Sequence, residues 1–536
     1  MSCSWWQGAV VYQVYPRSFC DASGDGVGDL QGIKSKLGYL AWLGVDAVWL
    51  SPVFPSPMVD FGYDVSDYKD VHPMFGTLQD FDALVAEAHR LGLKVILDYV
   101  PNHSSDEHPW FVEARSSRKS PKRDFYVWRD PKPEGKLPNN WLSEFGGPAW
   151  TFEECTGQFY YHAYHPRQPD LNWRNEELVR EMLDVLRFWM ERGVDGFRVD
   201  AIRHLVEDEN FRDNLPNPDW REGDSPYEAQ LAVNTTSRPE TYRAVGKMRQ
   251  TVDEFGERTG KELALIGEVY LPVAQLVSYY GGAEHGPLFD APTNMHFTRL
   301  DAGSWNARDL AAHVEEYEAA LPAGAWPNWV LGNHDRPRVA SRLGAERARV
   351  AAMLLLTLRG TPTIYYGDEL GMTDGEIPPG AERDPVAKSA PGYGRDPVRT
   401  PMHWDGTPSA GFTTGEPWLP VAGNHREVNV EAERKDPRSS LSLYRRLLAL
   451  RRSEPALSVG SYRTVSADGD VFAYAREGKR ESLLVVLNLG SEPASLPLSG
   501  PGRILLSTRL DREGEKVEGE LPLRPDEGLV LRVLQR

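Results

Sequence analysis

Val194-Asp195-Gly196-Phe197-Arg198-Val199-Asp200-Ala201 is an apolar run broken by one arginine and closed by a carboxylate. It reads as a short buried strand, with the acid where the apolar pattern stops, at the strand's C-terminal mouth. The design returns twice downstream: Leu263-Ala264-Leu265-Ile266-Gly267 ends in Glu268, and Trp329-Val330-Leu331-Gly332-Asn333-His334 ends in Asp335. One acid at a strand end is an ordinary solvated side chain. Three of them form a constellation.

Working outward, similar runs predict strands at 10–15, 47–50, 95–98, 197–200, 264–268, 288–290, 329–331 and 363–366. Between the first of them, helical periodicity covers 33–43, stopped by Gly44, and 81–91, capped by Asp80 and ended by Gly92. Continuous apolar strands, each followed by an amphipathic helix, indicate a parallel sheet covered on both faces. Eight such units suit a (β/α)₈ barrel, although periodicity fits a doubly wound open sheet equally well.

The alternation breaks twice. Residues 104–172 are rich in Pro, Gly, Asn and aromatics and too long for a plain loop, so they read as an inserted subdomain after strand three. A second Gly/Pro-rich insertion, about 374–430, follows strand eight and carries Gly394-Arg395-Asp396-Pro397-Val398-Arg399-Thr400. The barrel is thus expected over 1–103 and 173–455. A closing helix at 441–450 precedes short alternating strands at 461–465, 471–474 and 483–487, which predict an antiparallel β-sandwich domain over 456–536.

The chain has 536 residues, more than a single core usually supports, so several domains are expected. Its 60 Lys+Arg against 78 Asp+Glu give a formal charge of −18. With no basic block to offset it, that charge repels phosphate backbones and anionic bilayers, which argues against a nucleic-acid or membrane partner. No run of about 18 apolar residues is present. Cys3, Cys20 and Cys155 are an odd trio in a large chain, and Met1 to Gln7 lack a basic start with an apolar core. A cytoplasmic enzyme, monomeric or dimeric, is the expectation.

Asp98-Tyr99-Val100-Pro101-Asn102-His103, Gly196-Phe197-Arg198-Val199-Asp200, Gly267-Glu268-Val269 and Asn333-His334-Asp335 follow the order and spacing of the four sequence regions of the α-amylase family, glycoside hydrolase family 13. The chain resembles that family nearly end to end. Gln168-Pro169-Asp170-Leu171-Asn172 is similar to an additional region of the oligo-1,6-glucosidase and α-glucosidase branch. The resemblance implies the (β/α)₈ barrel over the open sheet, with the three acids at its mouth.

Acetal cleavage needs a proton for the departing oxygen and electron density for an oxocarbenium-like carbon, and a carboxyl pair supplies both. By resemblance Asp200 is the nucleophile, Glu268 the acid/base and Asp335 the transition-state stabiliser of a retaining enzyme. Arg198, on the same strand face as Asp200, is placed to keep it ionised. His103 and His334 resemble donors to sugar hydroxyls. Asp60 and Tyr63 resemble the residues that grip a terminal glucose, and Arg399, with Arg395 as the other candidate, resembles the arginine paired with that aspartate. Tyr63 and Phe145 are candidate platforms for a sugar ring. Such a ring of contacts makes a pocket, hence removal of single glucose units.

Asp21-Ala22-Ser23-Gly24-Asp25-Gly26-Val27-Gly28-Asp29 puts oxygen-bearing side chains at every second position. Asp21, Ser23, Asp25, Asp29 and the Val27 carbonyl suit a structural Ca²⁺ or Mg²⁺, although the terminal glutamate of an EF-hand loop is missing. Ala201 stands where this branch carries valine with α-1,6 preference or threonine with α-1,4 activity, and Ala201-Ile202-Arg203-His204 resembles the continuation seen in α-1,4-acting amylases. The expectation is an exo-acting α-glucosidase favouring maltose-like oligosaccharides, with transfer to alcohol, phenol or sugar acceptors. The alternatives are an isomerase of the same family, a sucrose isomerase or trehalose synthase, or a non-catalytic relative. Arg299-Leu300-Asp301-Ala302 only partly resembles a sucrose-isomerase loop.

Overall fold

Parallel strands β1 (Val11–Val14), β2 (Ala47–Leu50), β3 (Lys94–Tyr99), β4 (Gly196–Val199), β5 (Ala264–Val269), β6 (Thr293–Asn294), β7 (Asn328–Val330) and β8 (Thr361–Tyr365) close into a barrel in sequence order in the computed structural model. The structure describes residues 4–389, 394–479 and 481–533. Cys3 lies outside the described residues, and Cys20 and Cys155 are both free thiols, the first buried and the second exposed. No helix among the described residues is long and apolar enough to cross a membrane.

Strand alternation assigns each side chain to one of two cores. Phe197 and Val199 of β4 point outward into the large cluster shared with the helices, as do Val95 and Leu97 of β3. The opposite set, Val11, Ala47, Trp49, Ile96 and Ile266, packs inside the barrel. Arg198 joins this inner set, its guanidinium 4.9 Å from the Trp49 ring centroid. A charge in that position costs several kcal/mol unless it is paired, so the interior must supply partners.

The helix after β1 runs Leu30–Leu43, where Asp29 caps it by accepting from the Gly32 amide and Gly44 ends it at φ 106°. The helix after β2 is Leu78–Arg90, and its N-cap is Thr77, not Asp80. Asp80 instead closes a capping box, its carboxylate accepting from the Thr77 amide at 2.9 Å.

The sixth strand is also displaced from its expected place. Residues 288–290 run beside β5, and the Asp290 amide donates to the Leu265 carbonyl at 2.9 Å, but the ladder begins only at Thr293, which pairs with Glu268. Phe289 packs closely on β5, where a Cβ on Gly267 would lie 2.8 Å from its ring.

Between β3 and β4 the chain builds a small antiparallel sheet from Trp128–Arg129, Gln158–Tyr161 and Trp150–Glu153, with an aromatic core around Trp141, Trp150 and Tyr161. The closing helix Ser440–Ser453 leads to a six-stranded antiparallel sheet, faced by the pair Ala494–Pro497 and Glu520–Leu523. Arg451 and Arg476 seal this seam by donating to the carbonyls of Leu356, Leu358 and Gly360 and of Thr357.

Candidate active site

Register brings the central charges together. β3 pairs with β4 so that Asp98 lies beside Arg198, and β4 pairs with β5 so that Val199 faces Gly267, which sets Asp200 and Glu268 level one step further up. Arg198 Nη1 donates to Asp98 Oδ1 at 2.9 Å and to Asp200 Oδ1 at 2.5 Å, while Nη2 pairs with Glu268 Oε1. One guanidinium therefore serves three carboxylates. Glu268 is further held by the Ala201 amide, which donates to Oε2 at 3.0 Å. Ala201 can do this because it turns left-handed, at φ 50°.

Asp200 and Glu268 converge on Arg198, whereas Asp335 arrives from a loop and is held by other groups. β7 ends at Val330, and Asn333 bends the following chain by accepting from the Asp335 amide at 3.0 Å. Asp335 Oδ1 then takes Arg395 Nη1 at 3.2 Å and Arg399 Nη2 at 3.1 Å, and Oδ2 lies 3.3 Å from His334 Nε2. Burial alone raises a carboxyl, but here His334 and the two guanidiniums outweigh it and hold Asp335 well below the usual range. Burial lowers His334 itself to about 3, so at neutral pH the arginines carry the opposing charge.

Asp200 is pushed the other way. Burial and the Glu268 carboxylate raise it above its ordinary value despite Arg198. Two carboxylates sharing one guanidinium repel each other, which adds to the effect of burial on Asp200. Asp98 is likewise raised to about 6 by burial, against Arg198, Trp49 Nε1 at 2.9 Å and the Tyr63 hydroxyl at 3.2 Å. Asp98 was missed as a site residue, yet it closes the apolar run 95–97 just as the three selected acids close theirs.

The arginine that pairs with Asp60 is Arg395, not Arg399. Arg395 Nη2 donates to Asp60 Oδ1 at 2.7 Å, and its Nε donates to Asp384 Oδ2 at 2.8 Å. Asp384 orients the fork so that it spans Asp60 and Asp335, and Arg395 in turn holds Asp384 at about 2 against the upward pull of burial. Arg399 donates through Nε to the His334 carbonyl at 2.8 Å and so fixes the loop that carries Asp335. Nothing local in 382–385 marks Asp384, because its role arises only when the insertion folds back.

His103 is less free than a donor to sugar requires. Its Nε2 accepts from Gln168 Nε2 at 3.0 Å and its Nδ1 donates to Asn102 Oδ1 at 2.8 Å. Gln168 also donates to Asp60 Oδ2 at 3.1 Å, so it stands between the two. Burial brings His103 to about 3, leaving it neutral. Tyr63 stacks on His334 with centroids 5.2 Å apart and planes 5° off parallel, which occupies one of its faces. Phe145 is half-buried, 5.6 Å from the Arg395 guanidinium, and forms a lip from the inserted subdomain.

Beyond Asp200 a second cluster walls the mouth. Glu144 of the inserted subdomain pairs with Arg203 and lies 3.0 Å from His204 Nε2, while Arg203 Nη1 donates to the Tyr270 carbonyl at 3.0 Å. Glu144 is held at about 2, where burial is outweighed by Arg203 and His204.

The metal candidates stay within one loop. Asp21 accepts from Ser23 Oγ, the Gly24 and Gly26 amides and Thr413 Oγ1, and Asp29 from the Ala22, Ser23 and Gly32 amides. Asp25 accepts from the Val27 amide at 2.9 Å. Among the described residues no three His, Cys, Asp or Glu side chains come together as a metal cluster.

A barrel with these acids at its C-terminal mouth is the arrangement of a glycoside hydrolase, and comparison with known proteins agrees. Residues 13–460 match the model of the α-amylase catalytic domain and 460–530 a domain of unknown function. The chain belongs to the α-amylase family. Within it, the similarity is to α-glucosidases and oligo-1,6-glucosidases. A probable α-glucosidase of Rhizobium meliloti is 42% identical, with 95% of each chain covered. An oligo-1,6-glucosidase of Halalkalibacterium halodurans is 38% identical over 99% of both. Among solved structures, the α-glucosyl transfer enzyme XgtA is 39% identical at a TM-score of 0.92, covering 99% of this chain and 100% of its own. The trehalulose synthase MutB of Pseudomonas mesoacidophila is 35% identical at 0.89, covering 100% of each.

Proposed function

We propose that the protein is a retaining, exo-acting α-glucosidase that removes terminal glucose from short α-glucosides, maltose-like ones first, through a covalent glucosyl-enzyme. The observation that carries this reading is the single Arg198 guanidinium holding Asp200 and Glu268 together. In the first step an Asp200 oxygen bonds to the anomeric carbon. The bond to the departing oxygen breaks with its electron pair, and Glu268 gives that oxygen a proton. In the second, Glu268 takes a proton from water, whose oxygen displaces Asp200. Asp335, kept ionised by Arg395 and Arg399, opposes the positive charge that develops on the ring, an interaction that grows toward the transition state.

The Asp60–Arg395–Asp335 bridge supports exo action, since it would close one end of the site. An alcohol, phenol or second sugar can replace water in the second step, so transfer accompanies hydrolysis. Activity on p-nitrophenyl α-glucoside, reduced roughly 10³-fold or more in Asp200→Asn, tests the assignment. Rapid viscosity loss on long starch contradicts exo action. The likeness to a trehalulose synthase supports a second reading, isomerisation, and product analysis on sucrose and maltose separates the two.

A cation at residues 21–29 is a proposal of smaller scope. Asp21, Ser23, Asp25, Asp29 and the Val27 carbonyl would hold it through lone pairs left over from their N–H bonds, so it adds to a loop already closed without it. A rise in melting temperature with millimolar Ca²⁺ or Mg²⁺, reversed by chelation, tests it.

A further inference from the structure

Arg336 follows Asp335 directly and is half-buried, yet among the described residues its guanidinium has no carboxylate and no hydrogen-bond acceptor. Its guanidinium faces the Tyr270 ring, with Cζ 5.8 Å from the ring centroid. Asp335 does not need it, being served by Arg395, Arg399 and His334. Arg198 meets Asp98, Asp200 and Glu268 without it. The acids of the reaction thus find their partners elsewhere, and among the described residues this cation has no acidic partner.

Its place indicates what it serves. Tyr270 lies two residues beyond Glu268, and its hydroxyl accepts from Asn333 Nδ2 at 2.9 Å, which ties it to the Asp335 loop. A general acid must face the oxygen it protonates, so groups just beyond Glu268 lie toward the leaving group and not toward the glucose held by Asp60 and Arg395. Arg203 braces the same wall through the Tyr270 carbonyl. Half-buried and without a counterion, a guanidinium loses hydration and gains most from an anionic partner that can take its paired N–H donors.

We propose that Arg336, over the face of Tyr270, selects a leaving group or acceptor that carries a carboxylate, such as a carboxyphenyl group. The inference rests on the α-glucosidase reading. The carboxylate accepts from the guanidinium while the aglycone packs beside the Tyr270 ring, and the hydroxyl that leaves or enters stays within reach of Glu268. In a chain of formal charge −18, the general field disfavours an anionic substrate, so its acceptance requires a local cation.

The experiment compares kcat/KM for 4-carboxyphenyl α-glucoside with that for neutral 4-chlorophenyl α-glucoside, whose phenol is of similar acidity. Using the ratio cancels any general loss of activity. The full-length enzyme should favour the carboxylate at low salt and lose that preference at high salt. Arg336→Gln should lower the ratio roughly 10-fold, and Arg336→Lys should retain part of it. A ratio unchanged within about twofold in Arg336→Gln overturns the inference. If Arg336→Gln does not fold, the unmutated enzyme decides, since a ratio indifferent to salt overturns it equally. Absence of activity on the neutral glucoside overturns the α-glucosidase reading instead.

Discussion

Arg395 Nη2 donates to Asp60 Oδ1 at 2.7 Å, so the insertion after β8 meets the loop after β2 at the site. Asp60 and Arg395 lie 335 positions apart, and the link depends on Asp384 holding the guanidinium from behind. A double-mutant cycle should therefore give Asp60→Asn with Arg395→Gln a coupling of ~1 kcal/mol or more in kcat/KM for maltose. The cycle of Asp60→Asn with Arg399→Gln should give less. Equal coupling in the two cycles, measured by steady-state kinetics, removes Arg395 from this role.

The pH profile should be bell-shaped, as expected where one carboxylate attacks and one carboxyl donates a proton. Because Glu268 raises Asp200, replacing it with Gln removes that push, so the acid limb moves to lower pH and the alkaline limb disappears. A substrate with a leaving group that needs no protonation, such as glucosyl fluoride, keeps the Glu268→Gln rate measurable. An acid limb that moves upward contradicts the coupling.

Much of this site is legible in the sequence. An acid at the end of an apolar strand is a local signal, which is why Asp200 and Glu268 were found, and Asp98 carried the same signal. Asp335 was read in the same way, with the Asn333-His334-Asp335 motif as support, although β7 stops at Val330, five residues earlier. The roles of Asp384, Gln168 and the Arg395–Asp60 pair had no local signal, since each depends on loops from distant parts of the chain meeting. Strand six was misplaced because residues 288–290 are as apolar as a strand, whereas the ladder with β5 begins at Thr293.

Ala201 sits left-handed at φ 50°, where a β-branched side chain is strained. Ala201→Val should cost about 1–2 kcal/mol of stability, seen as a lower melting temperature, and Ala201→Gly should cost none of this strain. The valine should also crowd the space beside Glu268 and lower the maltose-to-isomaltose rate ratio. A ratio that stays constant separates linkage preference from this residue.

Glu433 accepts from the Leu441 amide at 2.9 Å at the start of the closing helix, and burial raises its carboxyl to about 8 from 4.5. A raised carboxyl contributes its full stability below the unfolded value and loses it as pH rises through the folded one, here between about 4.5 and 8. Glu433→Gln should therefore raise the melting temperature more at pH 8.5 than at pH 5. The opposite trend in paired thermal melts contradicts the burial argument.

The account stands on Asp200 forming a bond to the anomeric carbon before water does. Proton NMR during the first turnovers of p-nitrophenyl α-glucoside tests this most directly. Two displacements at one carbon return the starting configuration, so α-glucose should appear first and convert slowly to the β form. If β-glucose appears first, a single displacement has occurred, and Asp200 is not the nucleophile.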